Sequence, residues 1–371
     1  MLFISNDQLI RGCSKCGTTE TIPLPELKKT ILYLDQFFLS AAFRENQQRF
    51  VDAIDRIRSL AAQQLLVCPW SDLHETETHQ WPDSKQQELW DFVKKTASGH
   101  RFSHSASIKS AQISRGFWSF VDRDPSKNFV EKEDVFHSDI HGWDNHVWID
   151  IRSRIDDAEA VRRGKTTVAK GIAGLFDAWR AHPQSFAKDV QDECSGYVKT
   201  IETDYIEYMV SPNMATIQGF LGSWNAQVFN HLMVEQDMRL SFDDRLAKVR
   251  DFLRSDSFSA IPYVDASCRI FASLRKAVRR GELPTAERAE EAMFGFGQDM
   301  EMISVFAPYT DAVFMDRAMH RWITDKECGL PNQYGFRAFS VANFDEFHAF
   351  LENVEKNKPK DHDAWLKAAY G

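Results

Sequence analysis

Three short runs constrain the fold of this chain more than any other feature. Ile31–Leu34 (ILYL), Leu65–Cys68 (LLVC) and Ala312–Met315 (AVFM) contain no charged or amide side chain. A strand with one wet face alternates apolar and polar residues, so an unbroken run of four fits a strand covered on both faces, as in a parallel sheet. Between the first two runs, Phe50, Ile54 and Ile57 recur at i, i+4 and i+7, predicting an amphipathic helix through about Gln63. Strand, helix, strand in that order predicts a βαβ unit. After the third run the pattern predicts a helix near Arg317–Ile323, a strand at Arg337–Val341 following Gly335, and a last helix over Phe344–Glu355. The expected fold class is therefore α/β.

The middle of the chain reads differently. From about Trp81 to Leu283 no such quartet stands out, and helical stretches dominate, among them Thr167–Ala181, Ser185–Val210 and Phe242–Arg254. The expected organisation is an α/β domain in two pieces, residues 1–84 and 289–356, separated by a mainly helical insertion at 85–288 and closed by a polar tail at 357–371. Residues 1–30 are weakly patterned.

Several function classes are disfavoured. No stretch approaches the roughly 18 consecutive apolar residues of a membrane helix, and the N-terminus lacks a signal peptide's basic start and apolar middle. The chain is thus expected to stay in the cytoplasm, where its six cysteines are free thiols. Cys13 and Cys16 form one CxxC pair without a second. Gly164-Lys165-Thr166 resembles the end of a phosphate-binding loop, but Glu159 occupies the required glycine position, and HETETH places Thr78 where a zinc protease needs its second His. The net charge of −9 argues against a general nucleic-acid coat protein. Arg239–Arg280 nevertheless carries ten Lys/Arg against five Asp/Glu. Within it, Arg269, Arg275, Lys276, Arg279 and Arg280 lie on a predicted helix, either as a solvated face or as a band that holds a nucleic-acid backbone.

Acids stand at the places where such a sheet binds ligands. Asp35 directly follows ILYL and Asp316 directly follows AVFM, so both are predicted at the carboxyl edge of the sheet. Asp299 begins the helical pattern that Pro308 stops, and Glu75 falls one turn into the segment after Pro69. Asp299 also suits a simple helix-capping role. Glu75 competes with Asp72 and Glu77, and Asp311, just before the strand, is a possible substitute or helper for Asp299.

This ordered set resembles the PIN-domain nucleases: an Asp after the first strand, a Glu in the helix after the second, then Asp, helix, strand, Asp. LYLDQFFLS is similar to that family's opening, with Ser40 where Ser or Thr is frequent. Phe37 departs from it, standing where the family usually has Asn. APYTDAVFMDR followed by GFRAFS is similar to a bacterial branch with helical insertions. The resemblance covers about 30–80 and 290–355. It implies a PIN-like fold and a Mg²⁺- or Mn²⁺-dependent hydrolase with Asp35, Glu75, Asp299 and Asp316 as metal-binding and catalytic residues and Asp311 as a further ligand. The substrate it implies is RNA, cut by an endoribonuclease in a toxin or phage-defence setting, with a protein regulator or antitoxin as a possible partner. A DNA nuclease of the same fold, or an inactive scaffold whose insertion binds a protein, are the alternatives. Oxygen-only ligands suit these ions independently of the resemblance.

One further cluster, HSDIHGWDNH, gathers His137, Asp139, His141, Asp144 and His146. It reads either as a transition-metal or phosphate site, or as a loop anchored by Phe136, Trp143 and Trp148; folded back over the acids, it would supply a substrate-positioning His.

Overall fold

The computed structural model describes residues 2–370 except 6, 14, 81–82, 125, 127–129, 145–157, 211–222 and 284–285. Its centre is strand β4 (Thr30–Leu34). Strand β5 (Leu66–Val67) runs parallel to it on one side. On the other side lies β6 (Ala312–Phe314), with β7 (Arg337–Phe339) beyond, giving the parallel order β5-β4-β6-β7. The register pairs Leu32 with Ala312, Tyr33 with Val313 and Leu34 with Phe314.

The apolar quartets have a direct physical cause. Ile31, Tyr33 and Val313 point to one face and join a core built with Ile270, Leu274, Ile303 and Phe306. Leu32, Leu34 and Phe314 point to the other, against helices α1 (Gln36–Phe43), α2 (Gln48–Ala62) and Phe344–Lys356. Because both faces are covered, Ile31 to Leu34 carry no charged or amide group, and each is at most 1% exposed. Each such side chain contributes about 1.5–3 kcal/mol of burial. The helical segment between the two pieces of the sheet shares this core: Ala169, Ile172 and Phe176 pack in the same cluster as β4 and β6.

The chain leaves β4 through α1 and α2 to β5, then returns through more than two hundred residues to β6 on the opposite flank of β4. That reversal makes the carboxyl ends of β4 and β6 a switch point, the place where open α/β sheets form a crevice.

Three features differ from the sequence expectations. Residues 2–23 form an antiparallel three-stranded meander, β1 (Leu2–Ser5), β2 (Gln8–Gly12) and β3 (Thr19–Pro23). Its strands are short, and β3 is exposed at every position except the half-buried Ile22, which blurs the pattern. The expected polar tail contains a helix, His362–Tyr370, which packs against Leu9, Leu24 and Trp143 through Ala369. The helix that carries Asp299 in its first turn, Phe296–Glu301, is not regular throughout: it widens into a π-helical turn at Met302–Phe306 before Pro308 enters a 3₁₀ turn. Among the described residues no helix is long and apolar enough to cross a membrane.

Candidate metal centre

The two strand-end acids are placed by the ends of their strands. The Asp35 amide donates to the Phe314 carbonyl at 2.9 Å, extending the β4–β6 ladder one step past both strands. Its carboxylate then turns back and accepts the Phe37 amide as the N-cap of α1. Asp316 repeats the device on β6, capping helix Arg317–Thr324 by accepting from the amides of Ala318 at 2.5 Å and Met319 at 3.0 Å. Asp299 arrives from the other side of the crevice. One carboxylate oxygen from each of Asp35, Asp299 and Asp316 lies within 4.8 Å of the other two. Among the described residues this is the one cluster of its kind.

A fourth acid joins them, and it is Glu77 rather than Glu75. Helix α3 (Asp72–Thr78) is pinned beneath β4 because buried His74 sits 2.7 Å, Nε2 to O, from the Leu34 carbonyl, while its Nδ1 accepts the Ser71 amide. Burial pushes the His74 imidazole down to about 4, so it stays neutral. His74 and Thr78 form the inward stripe, and Glu75 and Glu77 flank it on opposite sides at about 100° per residue. Only the Glu77 side opens on the acids, and Glu75 does not line the crevice. The buried His74–Thr78 spacing was the signal for this choice.

Asp311 stands at the opposite edge of the sheet. It precedes β6, accepts from the Ile31 amide at 2.8 Å and pairs with Lys132 at 3.3 Å. Four residues lie between it and Asp316, five steps along an extended chain, roughly 16 Å. Its carboxylate ties down the start of β4 and cannot reach the cluster.

The electrostatics show carboxylates crowded against their preference. Burial, reinforced by Glu77 and Asp316, raises the proton affinity of Asp35 well above the usual range. Burial and then Asp35, Asp316 and Glu77 do the same to Asp299. Glu77 is raised by burial, and Lys165 works against that shift from 3.5 Å. Two unit charges 4.8 Å apart repel by about 3.5 kcal/mol at an effective dielectric of 20. An all-oxygen donor set under such strain fits a hard divalent cation.

The cluster opens into a cleft of ≈970 Å³ whose other walls carry Arg44, Arg49, Arg162 and Lys165. Arg162 donates to the Gln80 carbonyl, and Lys165 lies 5.6 Å over the Phe294 ring. Both belong to helix Ala158–Ala173 of the insertion. Lys165 thus faces the acids, although in the sequence it belongs only to an incomplete phosphate-loop motif. Its i, i+4, i+7 relation to the buried Ala169 and Ile172 was the available signal.

The cations of the predicted basic band are matched by acids of the chain itself. On helix Pro262–Arg279, Arg269 pairs with Asp265 at 2.8 Å, and Lys276 pairs with Asp325 and Glu327 at 2.7 and 2.5 Å. Arg275 pairs with Glu193 and Asp189, Arg279 with the fully buried Asp189, and Arg280 lies 3.9 Å from Glu282. These cations neutralise acids from neighbouring elements, which a count within one segment cannot register.

The histidine-rich loop also lies away from the acids, at the start of β4. Asp144 accepts from buried Lys29 at 2.7 Å, His100 at 3.0 Å and Gln64 at 3.1 Å, and His141 accepts the Lys29 amide. Trp143 donates to the Pro25 carbonyl, and His137 is exposed. His146 and Trp148 lie outside the described residues. Residues 137–144 form a latch on the rear edge of the sheet. Cys13 and Cys16 are exposed on the β2–β3 hairpin.

Comparison of the chain with known protein families, with curated proteins and with solved structures finds no match.

Proposed function

We propose that this chain is a metal-dependent nuclease with a PIN-like α/β domain, and that its substrate is RNA. The observation that carries the reading is the meeting of Asp35, Asp299 and Asp316 within 4.8 Å at the carboxyl edge of a parallel sheet. The order of the acid-bearing elements supports it: acid after β4, acid on the helix after β5, acid on the helix before β6, acid after β6. Glu77 takes the second of these places.

A divalent ion held by Asp35, Asp299 and Asp316 would supply the charge that polarises a scissile phosphate and lowers the pKa of an attacking water. The chain's own groups divide the remaining work. Glu77 stands beside the triad as an acceptor for a water proton. Lys165 and Arg162 draw the phosphate backbone toward the acids from the facing wall, since four carboxylates alone would repel it. Phe37, half-buried at the mouth, offers an aromatic surface to an unpaired base, in place of the family's polar side chain. A toxin or phage-defence role, restrained by a protein partner, is the biological setting this activity suits.

The test is cleavage of an oligoribonucleotide and of single-stranded DNA with Mn²⁺, with Mg²⁺ and with EDTA. The reading expects metal-dependent cutting of RNA that Asp35→Asn abolishes with an unchanged circular dichroism spectrum. Cleavage of DNA alone would move the assignment to a DNA nuclease. Absence of cleavage on both would reject it in favour of a non-catalytic scaffold, and full activity in Asp35→Asn would reject the acidic triad as the centre of the chemistry.

A further inference from the structure

Cys13 and Cys16 occupy the turn between β2 and β3 and take no part in the acidic crevice. Both thiols are free and exposed, as is every residue from 15 to 20. Cysteine is among the most buried residue types, so two on an open turn are not explained by packing. None of the described residues 13–20 enters a hydrophobic cluster of the fold either.

The turn is built to bring the two sulfurs together. The Cys13 amide donates to the Thr18 carbonyl at 2.9 Å, and the Gly17 amide donates to the Cys13 carbonyl at 3.0 Å. Gly17 has φ +72°, a left-handed conformation that glycine adopts without steric cost. That reversal directly after Cys16 leaves its sulfur hydrogen-bonded with the Cys13 side chain and 3.1 Å from the Thr18 hydroxyl. Two sulfurs within hydrogen-bonding reach, at Cys-x-x-Cys spacing, match one edge of a zinc tetrahedron. Its corners lie about 3.8 Å apart for zinc–sulfur bonds of about 2.3 Å. Thiolates are too soft for the Mg²⁺ or Mn²⁺ that suits the acids.

One edge is half a site. Structural zinc takes four protein ligands, and among the described residues no third His, Cys, Asp or Glu closes on the pair. The other four cysteines are buried or half-buried elsewhere in the fold. The remaining two ligands then fall to a partner. A two-fold axis through the ion brings in the same two sulfurs from another copy and makes a closed, tetrahedral four-cysteine site. Charge balances as well. Four thiolates around Zn²⁺ leave two negative charges, and the exposed Lys15 of each copy, set between the cysteines in sequence, offsets them.

We propose that Cys13 and Cys16 form half of a zinc site, completed by the same pair from a second copy of this chain, so that one Zn²⁺ clasps two hairpins. On binding, each of the four thiols gives its proton to solvent, four protons per ion. The site shares no residue with the acids and stands independently of the nuclease reading.

The experiment titrates the full, reduced, metal-free chain with Co²⁺ and then with Zn²⁺, following absorbance and the solution mass by light scattering. Co²⁺ held by thiolates gives intense sulfur-to-metal charge-transfer bands, which an ion on carboxylates does not. The bands should saturate at one ion per two chains, and the mass should double over the same range. Zn²⁺ should then bleach the bands and keep the doubled mass. Cys13→Ser/Cys16→Ser should show neither bands nor doubling, whereas Asp35→Asn, which alters only the crevice, should show both. Bands that saturate at one ion per chain without a change of mass would overturn the second copy as partner. A reduced chain without bands, the result for a pair that serves only as a redox couple, would overturn the zinc site. Doubling without metal, or in the double cysteine variant, would place the interface elsewhere and overturn the proposal too. A chain that pairs on zinc and cuts nothing keeps this site and loses the nuclease reading; one that cuts RNA and stays single does the reverse.

Discussion

Replacing Asp35 by Asn should stabilise the metal-free protein, the opposite of the usual effect of altering a buried polar residue. Asn keeps the N-cap of α1, since its side-chain oxygen can still accept the Phe37 amide. What it removes is one charge from a group packed within 4.8 Å of two others. At that separation each pair costs about 3.5 kcal/mol at an effective dielectric of 20. Solvent at the half-buried Asp316 and partial protonation reduce the sum, so relief of one pair, about 3 kcal/mol, is the working figure. An unfolding entropy of about 2.1 cal/mol/K per residue over 371 residues converts this to a rise of about 4 °C in melting temperature. The sign depends on pH. Burial, Glu77 and Asp316 raise the Asp35 pKa in the folded state, so the folded chain holds its proton longer than the unfolded chain does. The stability contributed by that group is complete below about pH 4, the unfolded value, and is lost as pH rises through the folded one. Asn cannot lose a proton, so its advantage should appear only on the alkaline side and vanish near pH 4. Differential scanning calorimetry in EDTA at pH 4 and pH 8, then in saturating Mn²⁺, measures all three conditions. In Mn²⁺ the order should invert, because the wild type gains ligand stabilisation that the variant has lost. A variant less stable than wild type in EDTA at pH 8, or equally stabilised by Mn²⁺, would refute the idea that these carboxylates share one field.

Two other outcomes test the placement of charge. Lys165→Ala should weaken RNA binding and lower the slope of log affinity against log salt by about 0.7, the contribution of one phosphate contact on a single strand. Lys276→Ala, whose ammonium already serves Asp325 and Glu327, should leave that slope unchanged; fluorescence anisotropy across a salt series checks both. At the rear latch, Asp144→Ala should destabilise the fold by about 3–5 kcal/mol, because it strands the Lys29 ammonium in a fully buried position. Although burial opposes ionisation, His100 and Lys29 hold the Asp144 carboxyl down to about 2. The stability it adds is therefore present above about pH 4 and lost as pH falls toward 2, and the variant should show no such acid-dependent loss in a urea titration repeated across that range.

The sequence alone determined the sheet and two of its acids. A strand enclosed on both faces must be apolar at every position, and an acid that breaks such a run must lie where the strand leaves the core. ILYL before Asp35 and AVFM before Asp316 therefore state their own geometry. Helices with one buried stripe were equally legible, because local periodicity encodes which face is dry. What only tertiary structure decided is which groups meet. Glu77 prevails over Glu75 because His74 binds the Leu34 carbonyl and fixes the rotation of α3. Asp311 is excluded because the parallel register sends it to the far edge of the sheet. The cations of helix Pro262–Arg279 are spent on Asp189, Glu193, Asp325 and Glu327, and Lys165 enters the cleft from a segment with no sheet pattern at all. Pairing across tens or hundreds of residues depends on the packing angle of whole elements, and no local pattern of side chains contains that angle.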